Sequence, residues 1–134
     1  MFGFLKKKEP KQTPKTEDIP SLTEDKKVEL LQKVEAEQQL LANTPDTDVD
    51  AVAEAYERLG LLYAELTEVD KAISALEKSL EKKLSMGEGY KKLMSLYNAK
   101  RADAAKNRDN DGIDYYMSKM DEMRNIAKKV TLSR

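Results

Sequence analysis

The chain has 134 residues, of which 37% are charged, and its formal net charge is −1. It contains no cysteine and no histidine, which excludes disulfides, thiolate chemistry and the commonest general base and metal ligand. The helix formers Glu, Lys, Leu and Ala dominate, so the composition predicts one all-α domain without catalytic, cofactor or metal sites.

Residues 1–20 are predicted to form a disordered basic tail. Five lysines and one glutamate give residues 1–15 a charge of +4, which leaves −5 for the rest and disfavours nucleic-acid binding. Two interpretations remain open: a solubilising terminus, favoured by three prolines, or weak peripheral contact with anionic lipid in the cytoplasm. The lipid contact would use Phe2, Phe4, Leu5, Lys6, Lys7 and Lys8. No apolar run is long enough to predict a membrane-spanning helix.

The domain is predicted over residues 21–131 and begins with a flanking helix at about 22–42. Ser21 and Glu24 have the spacing of a capping box, which predicts a helix start after Pro20. Asn43-Thr44-Pro45 predicts the end of this helix.

Two acidic stretches imitate calcium-binding loops. Asp46, Asp48 and Asp50 have the right spacing, but the required glycine is replaced by Ala51. Residues 107–112 contain the glycine but lack the bidentate glutamate. We interpret the first as acidic residues at a helix N-terminus and the second as a polar turn, so no metal site is predicted.

A helical hairpin is predicted at about 48–65 and 69–84. In its first helix, Tyr56, Leu59 and Tyr63 share one face, and Gly60 beside them allows close approach of a second helix. The second helix offers a small-large-small face, and Thr67 with Asp70 has the spacing of a capping box between the helices. That face is formed by Ala72, Leu76 and Ser79.

Part of this pattern recurs 34 residues later. Tyr90, Leu93 and Tyr97 repeat the first three positions, whereas Met94 replaces the glycine. A capping box at Ser85–Glu88 predicts the start of this helix, which ends near Asn107. The matching second face comes about six residues late, on a last helix at about 111–130.

This pattern resembles the tetratricopeptide repeat (TPR), in which an aromatic residue, Leu-Gly, Tyr and Ala recur with a 34-residue period. The first repeat would cover about 53–86 and a degenerate second repeat about 87–125. The resemblance implies about five helices in TPR-like antiparallel hairpins, forming a short right-handed superhelix. An unrelated antiparallel helical bundle is the alternative.

The resemblance also implies a concave face, lined by the first helix of each hairpin, that holds a peptide or helix of a partner protein. By position, this face would include Glu54, Glu57, Leu61, Glu65, Glu88, Lys91, Ser95 and Asn98. Its glutamates suggest a basic or mixed-charge partner, although they could equally serve only to solubilise the helices.

The sequence therefore predicts a non-enzymatic protein–protein interaction module, an adaptor or scaffold. The alternative is a structural, self-associating helical protein that forms homo-oligomers through an apolar face of the second hairpin. Methionines of the last helix, Met117, Met120 and Met123, are interpreted mainly as core residues, with an adaptable binding surface as the alternative.

Overall fold

The computed structural model describes residues 22–132, which form five helices joined by short connections. No strand occurs within this range, so the all-α prediction is confirmed, while the predicted tail at 1–20 lies outside the described residues. The helices are α1 (Glu24–Asn43), α2 (Val49–Glu65), α3 (Val69–Lys82), α4 (Glu88–Lys106) and α5 (Asn110–Leu132).

Each helix packs on the next one along the chain, and α2 also contacts α4. Short connections make neighbouring helices antiparallel, so α2 with α3 and α4 with α5 form two hairpins. Among the described helices, α1 contacts only α2 and is therefore an outer helix of the array.

Two apolar clusters form the core, and α3 contributes to both of them. Ala75 of α3 belongs to the cluster that α1 and α2 build around Leu30 and Leu59. The adjacent Leu76 belongs to the cluster that α4 and α5 build around Leu93 and Met123. Successive residues of one helix thus face different clusters, which joins the two hairpins through α3.

The close approach of α2 and α3 depends on the absence of a side chain at Gly60. A Cβ atom there would lie 2.6 Å from Leu76 Cγ and 3.3 Å from the carbonyl oxygen of Ala72. Ala72, Leu76 and Ser79 are all buried, and the Ser79 hydroxyl donates a hydrogen bond to the Ala53 carbonyl at 2.8 Å. The small-large-small face therefore lies against α2.

Both hairpin turns have the same backbone geometry. Thr67 has a positive φ of 59°, its N–H bonds to the Ala64 carbonyl at 3.0 Å, and the Glu68 N–H bonds to the Tyr63 carbonyl at 2.9 Å. This pair of bonds is a Schellman motif. The second turn repeats it at Arg108, whose φ is 57°.

The second turn separates α4 from α5, so residues 107–109 do not continue a helix. Thr67 and Arg108 are 41 residues apart, whereas the tyrosine positions recur after 34. Tyr97 consequently lies about two helical turns further from its hairpin turn than Tyr63 does. The TPR assignment stays a prediction.

The predicted capping boxes do not form at the starts of α3 and α4. Thr23 caps α1 by accepting a hydrogen bond from the Lys26 N–H at 3.1 Å, and Ser21 of the predicted capping box lies outside the described residues. Thr67 belongs to the end of α2, and Glu68 precedes α3 without a side-chain capping bond. Gly87 occupies the capping position of α4, also without such a bond.

Replacing Thr67 with glycine is expected to raise the free energy of unfolding by about 1 kcal/mol. A β-branched residue is disfavoured in the left-handed region by roughly 1–2 kcal/mol, and the greater freedom of glycine in the unfolded chain offsets part of the gain. Urea unfolding of the variant measures this change. Arg108→Gly should act in the same direction because it relieves the same backbone conformation, and a loss of stability in both variants would contradict the interpretation.

Candidate protein-binding groove

A groove of about 580 Å³ lies between α1, α2 and α4. It exists because α2 contacts both other helices while α1 and α4 do not contact one another. Its apolar surface is provided by Ala36, Leu61, Leu62 and Ala64. Its charged surface is provided by Lys33, Glu37, Arg58, Glu65, Glu88 and Lys92.

Side-chain bonds hold α1 in place at the edge of the groove. Arg58 Nε on α2 donates to Glu37 Oε2 on α1 at 2.9 Å. Gln38 Nε2 on α1 donates to the Tyr63 hydroxyl at 3.0 Å. These bonds supplement the apolar contacts of Leu30 and Val34, and they fix the α1 side of the groove.

One carboxylate oxygen in the groove lacks a hydrogen-bond donor. Glu37 Oε1 is buried and has no partner among the described residues, although Oε2 of the same carboxylate is bound to Arg58. A buried acceptor without a donor is unfavourable by about 1–3 kcal/mol.

The structure brings several of the predicted binding residues together. Leu61, Glu65 and Glu88 line the groove. Lys91 and Ser95 line an adjoining depression of about 260 Å³, which also shares Leu61 and Glu88. These five of the eight predicted residues thus lie on one continuous surface along the junction of α2 and α4.

Two predicted residues, Glu54 and Asn98, lie on these helices but do not line the groove. Both are exposed, and Asn98 Oδ1 accepts a hydrogen bond from Arg101 Nε at 3.1 Å. Glu54 lies about two helical turns before Leu61 on the same face of α2, and Asn98 about two turns after Lys91 on the same face of α4, so both lie further along their helices than the residues of the groove.

Glu57 has a structural role that the sequence interpretation missed. Its Oε2 accepts a hydrogen bond from the Gly89 N–H at 2.7 Å, so it satisfies the N-terminus of α4 across the helix contact. A Cβ atom at Gly89 would lie 2.7 Å from that oxygen, so glycine leaves room for the carboxylate. Glu57 therefore caps α4 and does not line the groove.

Sequence reasoning also missed the contribution of α1. It gave this helix only a flanking role, whereas Lys33, Ala36 and Glu37 form one wall of the groove. Arg58 and Glu37 are 21 residues apart and follow no local spacing rule, so their pairing depends on tertiary packing. The amphipathic pattern of α1 was the available signal, but it does not define which polar edge lies beside α2.

A polar network connects the two hairpins on the other side of α4. The Tyr97 hydroxyl donates to Glu77 Oε2 of α3, and Lys119 of α5 lies 3.8 Å from the same oxygen. Lys100 of α4 forms an ion pair with Asp70 of α3 at 2.9 Å, and that bond raises the pKa of Lys100. Burial, and then the hydrogen bond to Glu77, raise the pKa of Tyr97 well above its usual range.

The raised pKa of Tyr97 predicts alkaline sensitivity. The folded state favours the neutral phenol, so this contribution to stability is present below about pH 10 and is lost as the pH rises above it. The neighbouring charges of Glu77, Tyr115 and Glu122 add to the effect.

Urea unfolding between pH 8 and pH 12 is the test. Tyr97→Phe should be less stable than the parent by about 1 kcal/mol at pH 8, because a hydrogen bond is lost. Above pH 10, the stability of Tyr97→Phe should fall less steeply with pH than that of the parent. The two slopes should differ by up to about 1.4 kcal/mol per pH unit. Parallel pH profiles for the two proteins would contradict the prediction.

The two acidic stretches that resemble calcium-binding loops cap helix starts. Asp48 Oδ1 accepts from the Ala51 N–H at 3.3 Å, and Asp109 Oδ1 accepts from the Gly112 N–H at 3.0 Å. Within residues 22–132, there is no group of three or more acidic side chains that could hold a metal ion.

Met123 is buried, whereas Met120 is partly buried and Met117 is 50% exposed.

None of the helices between residues 22 and 132 has the length and apolar character needed to cross a bilayer. The residues of the predicted lipid contact, 2–8, lie outside that range.

No protein-family model, curated protein or solved structure matches this chain.

Proposed function

We propose that the chain is a non-enzymatic adaptor whose groove binds a helix or extended segment of a partner protein. The supporting observation is the groove itself, in which an apolar surface centred on Leu61 and Leu62 is surrounded by charged side chains. Amphipathic helices are commonly bound in such grooves, with apolar anchors in the floor and polar contacts at the edges. A preformed groove also lowers the ordering cost of binding.

The proposal includes the TPR-like arrangement, with the hairpins forming a short right-handed superhelix and the groove on its concave side. Contact of α2 with both α3 and α4 supports it, because the first helices of stacked hairpins then lie side by side. The resemblance of the tyrosine and glycine positions to the TPR pattern is the second support.

The groove favours a partner of mixed charge. Three basic and three acidic side chains surround it, and Arg58 and Glu37 already neutralise each other. Glu65 and Glu88 are exposed acids, while Lys33 and Lys92 are exposed bases.

The test compares capture of partner proteins by the intact chain and by Glu65→Lys/Glu88→Lys. The control is Glu35→Lys/Glu54→Lys, which makes the same change of charge at exposed positions of α1 and α2 outside the groove. A partner retained by the intact chain and the control, but lost by the groove variant, is the expected result. Fluorescence anisotropy should then show that a segment of that partner binds the purified intact chain and the control variant more tightly than the groove variant. Equal binding by all three proteins would disprove the groove assignment.

Self-association is a second candidate, favoured by exposed apolar side chains. Val28 and Leu31 lie three residues apart on α1 and are each about half exposed, as is Met117 on α5. Light scattering over a range of concentrations distinguishes the two functions. A mass that rises with concentration in the parent, but not in Leu31→Glu, would favour self-association through α1.

We place the adaptor in the cytoplasm, following the sequence-based prediction. The apolar and basic residues at the N-terminus would give it weak contact with anionic lipid. Co-sedimentation with phosphatidylglycerol vesicles tests that contact, and Lys6→Glu/Lys7→Glu should weaken it.

A further inference from the structure

A second concavity, of about 230 Å³, lies between α3, α4 and α5 and shares no lining residue with the groove. We refer to it as the α3–α5 cleft. Its volume is below the usual range for small-molecule sites, so it suits one or two apolar side chains of a peptide. Its apolar lining consists of Leu80, Leu84, Leu93, Met123 and Ile126.

The charged lining of the α3–α5 cleft is predominantly acidic. It contains Glu77, Glu81 and Glu122, against one base, Lys119. Lys119 already lies within ion-pair distance of Glu77 and Glu122. Glu81 is exposed and forms no ion pair within residues 22–132, so its charge is available to a basic ligand.

The N-terminal segment of this chain has the complementary composition. Residues 2–8 begin with apolar Phe2, Phe4 and Leu5 and continue with three lysines. We propose that residues 2–8 dock in the α3–α5 cleft of their own chain, with the apolar side chains in the cleft and the lysines beside Glu81 and Glu122. This proposal is independent of the function assigned to the groove, but it competes with the lipid contact because both use the same side chains.

The connecting segment is long enough for this contact. Leu22 lies just before α1, and because α1 packs antiparallel to α2, Leu22 lies near the end of α2 and the start of α3. From there to Glu81, the distance along α3 is roughly 20 Å, at 1.5 Å per residue. Residues 9–21 can span up to about 45 Å when extended, which allows for the path around the helix surface.

The exposure of Leu84 supports the presence of an occupant. This side chain is 44% exposed just after the end of α3, and it lines the same cleft as Glu81 and Glu122. An apolar segment with adjoining lysines would cover Leu84 and neutralise the rim, and both changes favour docking.

Paramagnetic relaxation enhancement in the full-length chain tests the proposal. Because the chain has no cysteine, Gln12→Cys can carry a single nitroxide label. Amide signals of residues 80–84 and 122–126 should lose intensity in the ¹⁵N-labelled protein. The loss should disappear in Phe2→Ser/Phe4→Ser/Leu5→Ser and in Glu81→Lys/Glu122→Lys, but persist in Glu35→Lys/Glu54→Lys.

Three results would overturn the proposal. Signal loss confined to residues next to Leu22, or spread evenly over the surface, would show that residues 2–8 do not dock in the cleft. A mixture of nitroxide-labelled ¹⁴N chain and nitroxide-free ¹⁵N chain reports only contacts between copies. Signal loss at the cleft in this mixture, without signal loss within one chain, would assign the segment to a second copy. Binding to phosphatidylglycerol vesicles without signal loss at the cleft would assign it to a lipid surface.

Discussion

Leu76→Ala is expected to lower the free energy of unfolding by about 3 kcal/mol, and Tm by roughly 10 °C. Leu76 is only 1% exposed and contacts the bare backbone position of Gly60, where two helices are already close together. The neighbouring backbones cannot easily move into the space that truncation leaves, so a cavity remains.

Urea unfolding measured by circular dichroism tests this expectation. Leu40→Ala is the matched control because it removes the same atoms from an exposed side chain that lines neither the groove nor the cleft. It should change stability by less than about 1 kcal/mol. Similar losses in both variants would contradict the role of Leu76 in the core.

A second substitution makes the test of this contact specific. Gly60→Ala alone should destabilise by about 1 kcal/mol, because steric overlap with Leu76 exceeds the gain in helix propensity. In the Leu76→Ala background, most of that overlap is removed, and Gly60→Ala should instead stabilise by about 1 kcal/mol. Additive effects in this double-mutant cycle would show that the two positions do not interact.

Glu57→Lys is expected to lower the free energy of unfolding by about 2–3 kcal/mol. The substitution removes a charge-assisted hydrogen bond to Gly89 and places a positive charge at the N-terminus of α4. Because the site lies between α2 and α4, it should also disturb the junction on which the groove depends.

The control for Glu57→Lys is Glu54→Lys, an exposed position on the same helix. It should change stability by no more than about 0.5 kcal/mol. Glu57→Gln keeps an acceptor but loses the charge, so its free energy of unfolding should lie between those of Glu57→Lys and Glu54→Lys. Equal stability of the Lys variants in chemical unfolding would contradict the capping role.

The parts of the fold that were predictable from sequence depend on local periodicity. The spacing of Ala72, Leu76 and Ser79 identifies one face of α3, and that face is buried. The absent side chain at Gly60 likewise indicates a close helix contact before its partner is known. These inferences succeed because residues three or four positions apart share a helix face whatever the tertiary structure.

The helix starts and the composition of the groove were less predictable because they depend on distant residues. Ser85 and Glu88 have the spacing of a local cap, but Glu57 supplies the acceptor from 32 residues before Gly89. The same limitation applies to Arg58 and Glu37, whose contact determines which side of α1 forms a wall of the groove. A single sequence contains no local signal for either pairing.

Because α3 packs into both apolar clusters, the chain cannot be divided between its two hairpins without loss, and this restricts how it could have arisen. Ala75 and Leu76 are consecutive residues that complete different apolar clusters. A gene fragment ending after α3 would expose the second cluster, and one beginning at α4 would lack Leu76 and Leu80. We therefore expect that neither hairpin folds stably without the other, and that a duplication or fusion of the coding segment has to carry both hairpins together.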